Sequence, residues 1–255
     1  MPTEFIANSD IDADENHFHR IYPSILESNS VQYYDSNSFK ALNSSASTKD
    51  LSVIHLNIRS IRANCDTFLS FLSSLNHKFD VICFTESNLK DGEQAGEYFK
   101  NYKTFYSGRS NRQGGGVMVC VSENFDCEII PQLTTNLSFI EIVTVKIKFF
   151  NKQFFVSSIY RPPKTNFELF NTFIGDAFAS ESLQNCDKII CSDFNLNLMN
   201  MTDASDNSSV FHNNMQTLAL LPVISKPTRV SASSCSLKDN IFVNNLAIFD
   251  RVILL

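Results

Sequence analysis

Leu51-Ser52-Val53-Ile54-His55-Leu56-Asn57 and Asp80-Val81-Ile82-Cys83-Phe84-Thr85-Glu86 are two short apolar runs that each end on a polar group. Between them, Ile61 to Asn76 sets Ile61, Cys65, Phe68, Leu69, Leu72 and Leu75 at helical spacing. Residues 51–86 therefore predict strand, helix, strand. Downstream, Phe105 to Gly108, Val117 to Val121, Phe139 to Phe149 and Phe154 to Tyr160 read as consecutive antiparallel strands, and Pro162-Pro163 stops the last of them. A helix over Phe167 to Phe178, a strand over Lys188 to Ser192, a helix over Val210 to Leu220 and a strand over Asp239 to Val243 follow, before an apolar end, Ile248 to Leu255. Strands cut through by helices on two sides predict an α/β sandwich whose sheets pack face to face under outer helices.

The 255 residues are 43% hydrophobic and 19% charged, enough apolar material for a core, which excludes a wholly disordered chain, a collagen and a disulfide mini-scaffold. The net charge of −6 is unevenly spread. Residues 1–50 hold three basic and eight acidic side chains, and the other 205 hold 18 and 19. A near-neutral body can still set a basic groove beside an acidic metal site, because binding responds to local potential. Residues 1–50, rich in Ser, Asn and Asp, read as a poorly ordered acidic leader, or one that docks through Tyr33, Tyr34 and Phe39; residues 51–255 read as the folded domain. Seven cysteines without a C-x-x-C pair, several inside apolar runs, predict buried reduced thiols. Residues 1–14 lack the apolar core of a secretory signal, and no apolar run approaches the ~20 residues that span a bilayer. The expectation is an intracellular protein, nuclear or cytoplasmic, with no membrane partner.

Four places set polar groups at the end of a buried strand, where sheet-based sites collect. Asn57, Glu86 and Asp193 with Asn195 close strands, whereas Asp239 opens one. Any one of them could be an ordinary strand cap. Several at one edge of one core would repel one another, and a hard divalent cation such as Mg²⁺ relieves that repulsion. In Asp193-Phe194-Asn195 an extended backbone would point carboxylate and amide the same way, fit to hold and deprotonate a water. Tyr160-Arg161-Pro162-Pro163 is a stiff segment that offers a phenol and a guanidinium to a phosphate, or else an edge aromatic and a solvated charge. Three of the seven glycines are consecutive, Gly114 to Gly116. No Lys-Ser/Thr follows and a strand comes next, so the run reads as a structural turn feeding Val117 to Val121 rather than a phosphate cradle.

Taken in order, Leu56-Asn57-Ile58-Arg59-Ser60, Thr85-Glu86-Ser87, Gly114-Gly115-Gly116-Val117, Tyr160-Arg161-Pro162-Pro163, Ser192-Asp193-Phe194-Asn195, Pro227-Thr228-Arg229 and Leu237-Lys238-Asp239-Asn240-Ile241-Phe242 resemble one family. It is the endonuclease domain of jockey-type non-LTR retrotransposons, within the endonuclease/exonuclease/phosphatase superfamily of DNase I and the apurinic endonucleases. The resemblance covers residues 51–255 and implies a four-layer α/β sandwich, two packed mixed sheets flanked by helices. By the same resemblance Glu86 holds a metal, Mg²⁺ or Mn²⁺, and Asn57 helps hold the metal and phosphate region. Asp193 orients or deprotonates the attacking water with Asn195 next to it. Tyr160 contacts the phosphate, Asp239 supports a catalytic histidine, and Arg59 and Arg161 contact DNA phosphates. The implied reaction is Mg²⁺-dependent hydrolysis that nicks double-stranded DNA to leave a 3′-hydroxyl, which primes the reverse-transcriptase domain of the parent element. The implied nuclease is a monomer.

Departures from the family pattern are Ser192 in place of a glycine and Lys238 in place of an apolar residue. Family members end the domain on Ser-Asp-His, whose histidine contacts the scissile phosphate, and this sequence stops at Leu254-Leu255 before such a motif. His17, His19, His55, His77 and His212 match no catalytic position, and His55 reads as structural. A domain truncated before its last strand and lacking that histidine is therefore expected, with turnover impaired. A second reading is a catalytically dead remnant that binds nucleic acid or metal weakly. A third, a phosphoinositide phosphatase or sphingomyelinase, is disfavoured by the Tyr160 and Pro227 motifs.

Overall fold

Val53–Asn57 (β1) and Val81–Thr85 (β2) pair in parallel, as the apolar runs around the intervening helix require. The computed structural model describes residues 32–43, 51–109, 114–180, 186–199, 201, 203–246 and 253–254. Tyr102–Ser107 (β3) and Val117–Ser122 (β4) complete a four-stranded sheet in the order β1-β2-β4-β3. The second sheet is built from Asp126–Ile129 (β5), Glu141–Phe149 (β6), Lys152–Tyr160 (β7), Asp187–Asp193 (β8) and Asp239–Val243 (β9), in the order β9-β8-β7-β6-β5. Two short strands extend it, Leu221–Pro222 on β9 and Thr135–Asn136 on β6. Strands β7 and β8 are parallel and the remaining long pairs of this sheet antiparallel, so both sheets are mixed. Neither Asp126–Ile129 nor the start of β3 at Tyr102 is evident in the hydropathy pattern, because their residues are largely exposed or half-buried.

Alternation along the strands fixes the layers. On β2, Ile82 and Phe84 join Ile61, Cys65 and Phe68 of the helix Ile61–Leu75 (α2, counting Ser36–Asn43 as α1). Val81 and Cys83 face the other way, into a cluster with Val143, Val145 and Val156 of the second sheet. The far face of that sheet is covered by Phe167–Phe178 (α3) and Asn207–Thr217 (α4), through Phe170, Ile174, Phe211 and Met215. Helix, sheet, sheet, helix is the four-layer sandwich. Side-chain caps set the helix starts: Ser60 accepts from the Ala63 N–H, Asn166 from Leu169 and Asp206 from Ser208. The cap at Asp206 begins α4 three residues before the expected Val210, and Ala219, at φ 55°, turns the chain beyond its end.

Of the acidic leader, residues 32–43 are described. Phe39 on α1 is buried against His77 and Phe79, and the Tyr33 hydroxyl donates to the Pro227 carbonyl at 2.6 Å. Gln32–Tyr33 pairs in parallel with Ile253–Leu254 as a separate two-stranded ribbon. His17, His19 and most of the apolar end Ile248 to Leu255 lie outside the described residues. Among the described residues no strand pairs with the outer edge of β1, and no helix is long and apolar enough to cross a membrane.

Candidate active site

Strand direction brings the expected residues to one edge. Parallel pairing of β1 with β2 sets Asn57 beside Thr85, so Glu86 emerges next to Asn57. In the other sheet β7 and β8 run in parallel and finish together, with Tyr160 beside Asp193, while antiparallel β9 begins there with Asp239 opposite Asp193. The two edges meet through Asn57. Its amide nitrogen donates to Glu86 Oε1 at 2.9 Å and to Asp193 Oδ2 at 2.8 Å, one hydrogen bond within each sheet's share of the site. Its amide oxygen accepts instead from the Arg59 N–H at 3.2 Å. In this orientation the amide oxygen, the atom able to ligate a cation, faces the Arg59 N–H. An amide nitrogen has no lone pair to give, and here it is the group placed among the carboxylates.

Glu86 stands on a turn of unusual backbone. Arg59, Ser60, Glu86 and Asn88 all have positive φ, at 54°, 142°, 54° and 55°. Non-glycine residues in such regions are costly and persist where their surroundings over-determine them. The glycine run is part of that surrounding: Gly116 and Gly115 carbonyls accept from the Ser87 and Asn88 N–H groups at 3.0 and 2.7 Å. Gly116 has φ +84°, and a Cβ there would lie 2.5 Å from Ser87 Oγ. Beneath the run is an ion pair that the sequence pattern did not bring out. Glu141, fully buried at the start of β6, accepts from the Gly116 N–H and from Arg109. The available signal was an acid inside the apolar run Phe139-Ile140-Glu141-Ile142-Val143, since a buried charge requires a partner.

The second sheet's share is electrostatic. Asp193 is fully buried, and its Oδ1 accepts from the Asn195 N–H at 3.1 Å while Oδ2 accepts from Asn57 and, at 2.6 Å, from Arg229 Nη2. Burial, and then the charge of Asp239, push its pKa up to about 6 against the pull of Arg229, Asn57 and Asn195. Asp239 accepts from Arg229 Nε at 3.1 Å and from Thr228 Oγ1 at 3.1 Å. Burial alone would lower the Arg229 pKa, but Asp239 and Asp193 outweigh it and hold the guanidinium above its usual range. Burial also raises the Tyr160 phenol, helped by the charges of Glu86 and Asp193, so it stays a neutral donor. His55, two residues before Asn57, has a buried Nε2 with no hydrogen-bond partner, and burial brings its pKa down to about 4 despite Asp239.

Two expectations change. Asn195 does not lie parallel to Asp193. The strand ends at Asp193, Asn195 turns at φ 50°, and its amide donates to the Arg161 carbonyl at 2.9 Å. Arg161 is no phosphate contact in this geometry. It is 6% exposed, donates to the Phe194 and Thr165 carbonyls at 3.2 and 3.3 Å, and packs on the rings of Phe167 and Phe170. Arg59 is exposed at the same edge. Among the described residues no three or more His, Cys, Asp or Glu side chains gather as a full ligand shell. The half-buried Glu86 carboxylate beside Asp193 nevertheless suits an Mg²⁺-like ion, which keeps waters and takes one or two carboxylates together with substrate phosphate.

No family model and no curated protein sequence matches the chain. Solved structures do. The endonuclease domain of TRAS1, a telomere-specific non-LTR retrotransposon, is 17% identical with a TM-score of 0.55, over 74% of this chain and 83% of that one. The APE2 catalytic domain of Xenopus laevis is 14% identical with a TM-score of 0.56, over 77% and 83%. An AP endonuclease from Archaeoglobus fulgidus is 13% identical with a TM-score of 0.54, over 76% and 86%. At such identities the likeness is one of fold, and it agrees with the layers and strand order described above. The chain has the DNase I-like sandwich fold that these structures share.

Proposed function

We propose that this chain is a DNA-nicking phosphodiesterase domain of retrotransposon descent. The observation that carries the reading is the Asn57 amide bridging Glu86 of one sheet to Asp193 of the other, with Tyr160 and Asp239 at the same edge. Glu86 would hold the divalent cation, Mg²⁺ or Mn²⁺, which when bound offsets charge on the phosphate. Asp193 holds the attacking water and takes its proton, while the water oxygen bonds to phosphorus. The P–O3′ bond then breaks, and the 3′ oxygen leaves with the bonding pair and takes a proton from solvent. The products are a 3′-hydroxyl and a 5′-phosphate. Tyr160, kept protonated, donates to a non-bridging phosphate oxygen. Double-stranded DNA is the substrate, and the 3′-hydroxyl would serve a reverse-transcriptase domain of the parent element.

Supercoiled plasmid incubated with Mg²⁺ tests the reading, with this chain, its Asp193→Ala variant and a version extended through a Ser-Asp-His segment. Nicking that is abolished by Asp193→Ala supports it; a folded extended chain that leaves the plasmid supercoiled overturns it. A second reading, a non-catalytic DNA or metal binder, is favoured by one observation: among the described residues Asp239 holds an arginine rather than a histidine. DNA binding without nicking, in both versions of the chain, would support that reading.

A further inference from the structure

In the sequence Arg229 is only the end of a motif, yet in the fold its guanidinium sits at the centre of the site. Its backbone is held by a tight ribbon: Arg229–Val230 pairs antiparallel with Cys235–Ser236, and the Ser231 N–H donates to the Ser234 carbonyl at 2.8 Å across the turn. Thr228 locks the ribbon to β9, accepting from the Lys238 and Asp239 N–H groups and donating to Asp239 Oδ2. From that base Nε and Nη2 reach Asp239 Oδ2 and Oδ1 at 3.1 and 3.4 Å, and Nη2 also reaches Asp193 Oδ2 at 2.6 Å. Nη1 makes no hydrogen bond among the described residues, and the side chain is 35% exposed, against 0% for Asp193. A guanidinium carries five N–H donors in one plane, and this one has spent only those on Nε and Nη2 on carboxylates.

We propose that Arg229 is a catalytic residue of this site: Nε and Nη2 fix Asp193 relative to Asp239, and Nη1 contacts a non-bridging oxygen of the scissile phosphate. The inference rests on the nuclease reading and adds to it the residue that meets the phosphate from the Asp239 side. Negative charge that builds on the non-bridging oxygens as water adds is met by a cation whose position is set before substrate arrives. Arg161 supplies the contrast, since its Nη1 and Nη2 go to backbone carbonyls and its plane packs on the Phe170 ring.

The plasmid-nicking assay with Mg²⁺ tests it on the full chain, alongside Asp193→Ala, Arg229→Ala and Arg229→Lys, with thermal unfolding of each. Arg229→Ala should lower the nicking rate about 100-fold, the usual cost of one oxyanion donor. Millimolar guanidinium chloride, but not equal sodium chloride, should return about tenfold of that loss, since the free cation can occupy the vacated site. Arg229→Lys should fall between the two, because a point charge cannot serve two carboxylates and a phosphate in one plane. A folded Arg229→Ala that nicks at the wild-type rate overturns the proposal while the Asp193 reading stands. A loss untouched by guanidinium also overturns it, since it assigns Arg229 to structure alone. If the alanine variant does not fold, Arg229→Lys nicking at the full rate overturns it. The same variants are assayed in the version extended through Ser-Asp-His, and a folded extended chain that does not nick overturns the nuclease reading and this inference together.

Discussion

The two sheets contribute to one site but hold their parts by different means. Glu86 is fixed through backbone: four positive-φ residues, carbonyls of the glycine run accepting from Ser87 and Asn88, and a buried Glu141–Arg109 pair beneath. Asp193 and Asp239 are fixed through side-chain charge, with one guanidinium between them. A backbone-held ligand keeps its place whatever the protonation state of its neighbours. A charge-held pair responds to pH and to loss of its counter-ion. The difference suits the proposed roles, since the group assigned to the cation must stay put and the group assigned to the water must exchange a proton.

Four changes would break or sharpen that contrast. Asp193→Asn should cut the nicking rate about 10⁴-fold, the upper end for a positioned acid or base, measured in single-turnover plasmid assays. Its melting temperature should hold or rise, because the variant no longer buries that charge. Glu141→Ala should strip the backbone-held half of its anchor by removing the buried carboxylate that accepts from Arg109 and Gly116, at a cost of about 3–5 kcal/mol in denaturant unfolding. Gly116→Ala forces a side chain onto Ser87 at φ +84° and should cost about 1–3 kcal/mol, with nicking reduced as Glu86 shifts.

The smallest effect is a pH slope. His55 has a pKa of about 4 in the fold against 6.5 for a free histidine. Between those values the unfolded chain binds a proton that the fold refuses, so its contribution to stability is complete above pH 6.5 and is lost as pH falls through 4. Asp193, at about 6 in the fold against 3.8, acts in the opposite sense: its contribution is present below 3.8 and is lost as pH rises through 6. The two offset each other in wild type. Asp193→Asn should therefore make the melting temperature rise more steeply from pH 4 to 6.5, and His55→Gln should make it rise less steeply or fall. Equal slopes in all three proteins would count against the burial ascribed to both groups.

Much of the frame is legible in the amino-acid order. The apolar runs of β1, β2, β7, β8 and β9 and the spacing of α2 and α3 place Asn57, Glu86, Tyr160, Asp193 and Asp239 at strand ends, because burial leaves a period in the chain. The turn at Asn195 is not legible, since a positive φ there leaves no hydropathy signal. Nor is the orientation of the Asn57 amide, which depends on two carboxylates from different sheets.

By itself, then, the amino-acid order determined which segments are strands and helices and which polar residues stand at their ends, properties that neighbours along the chain impose. The tertiary structure alone decided which arginine packs and which one faces the site. Arg161 and Arg229 are alike as side chains, but one meets Phe167, Phe170 and backbone carbonyls while the other meets Asp193 and Asp239. Charge and burial act over a few ångströms in space, and strand order and ribbon pairing set those distances between segments far apart in the chain.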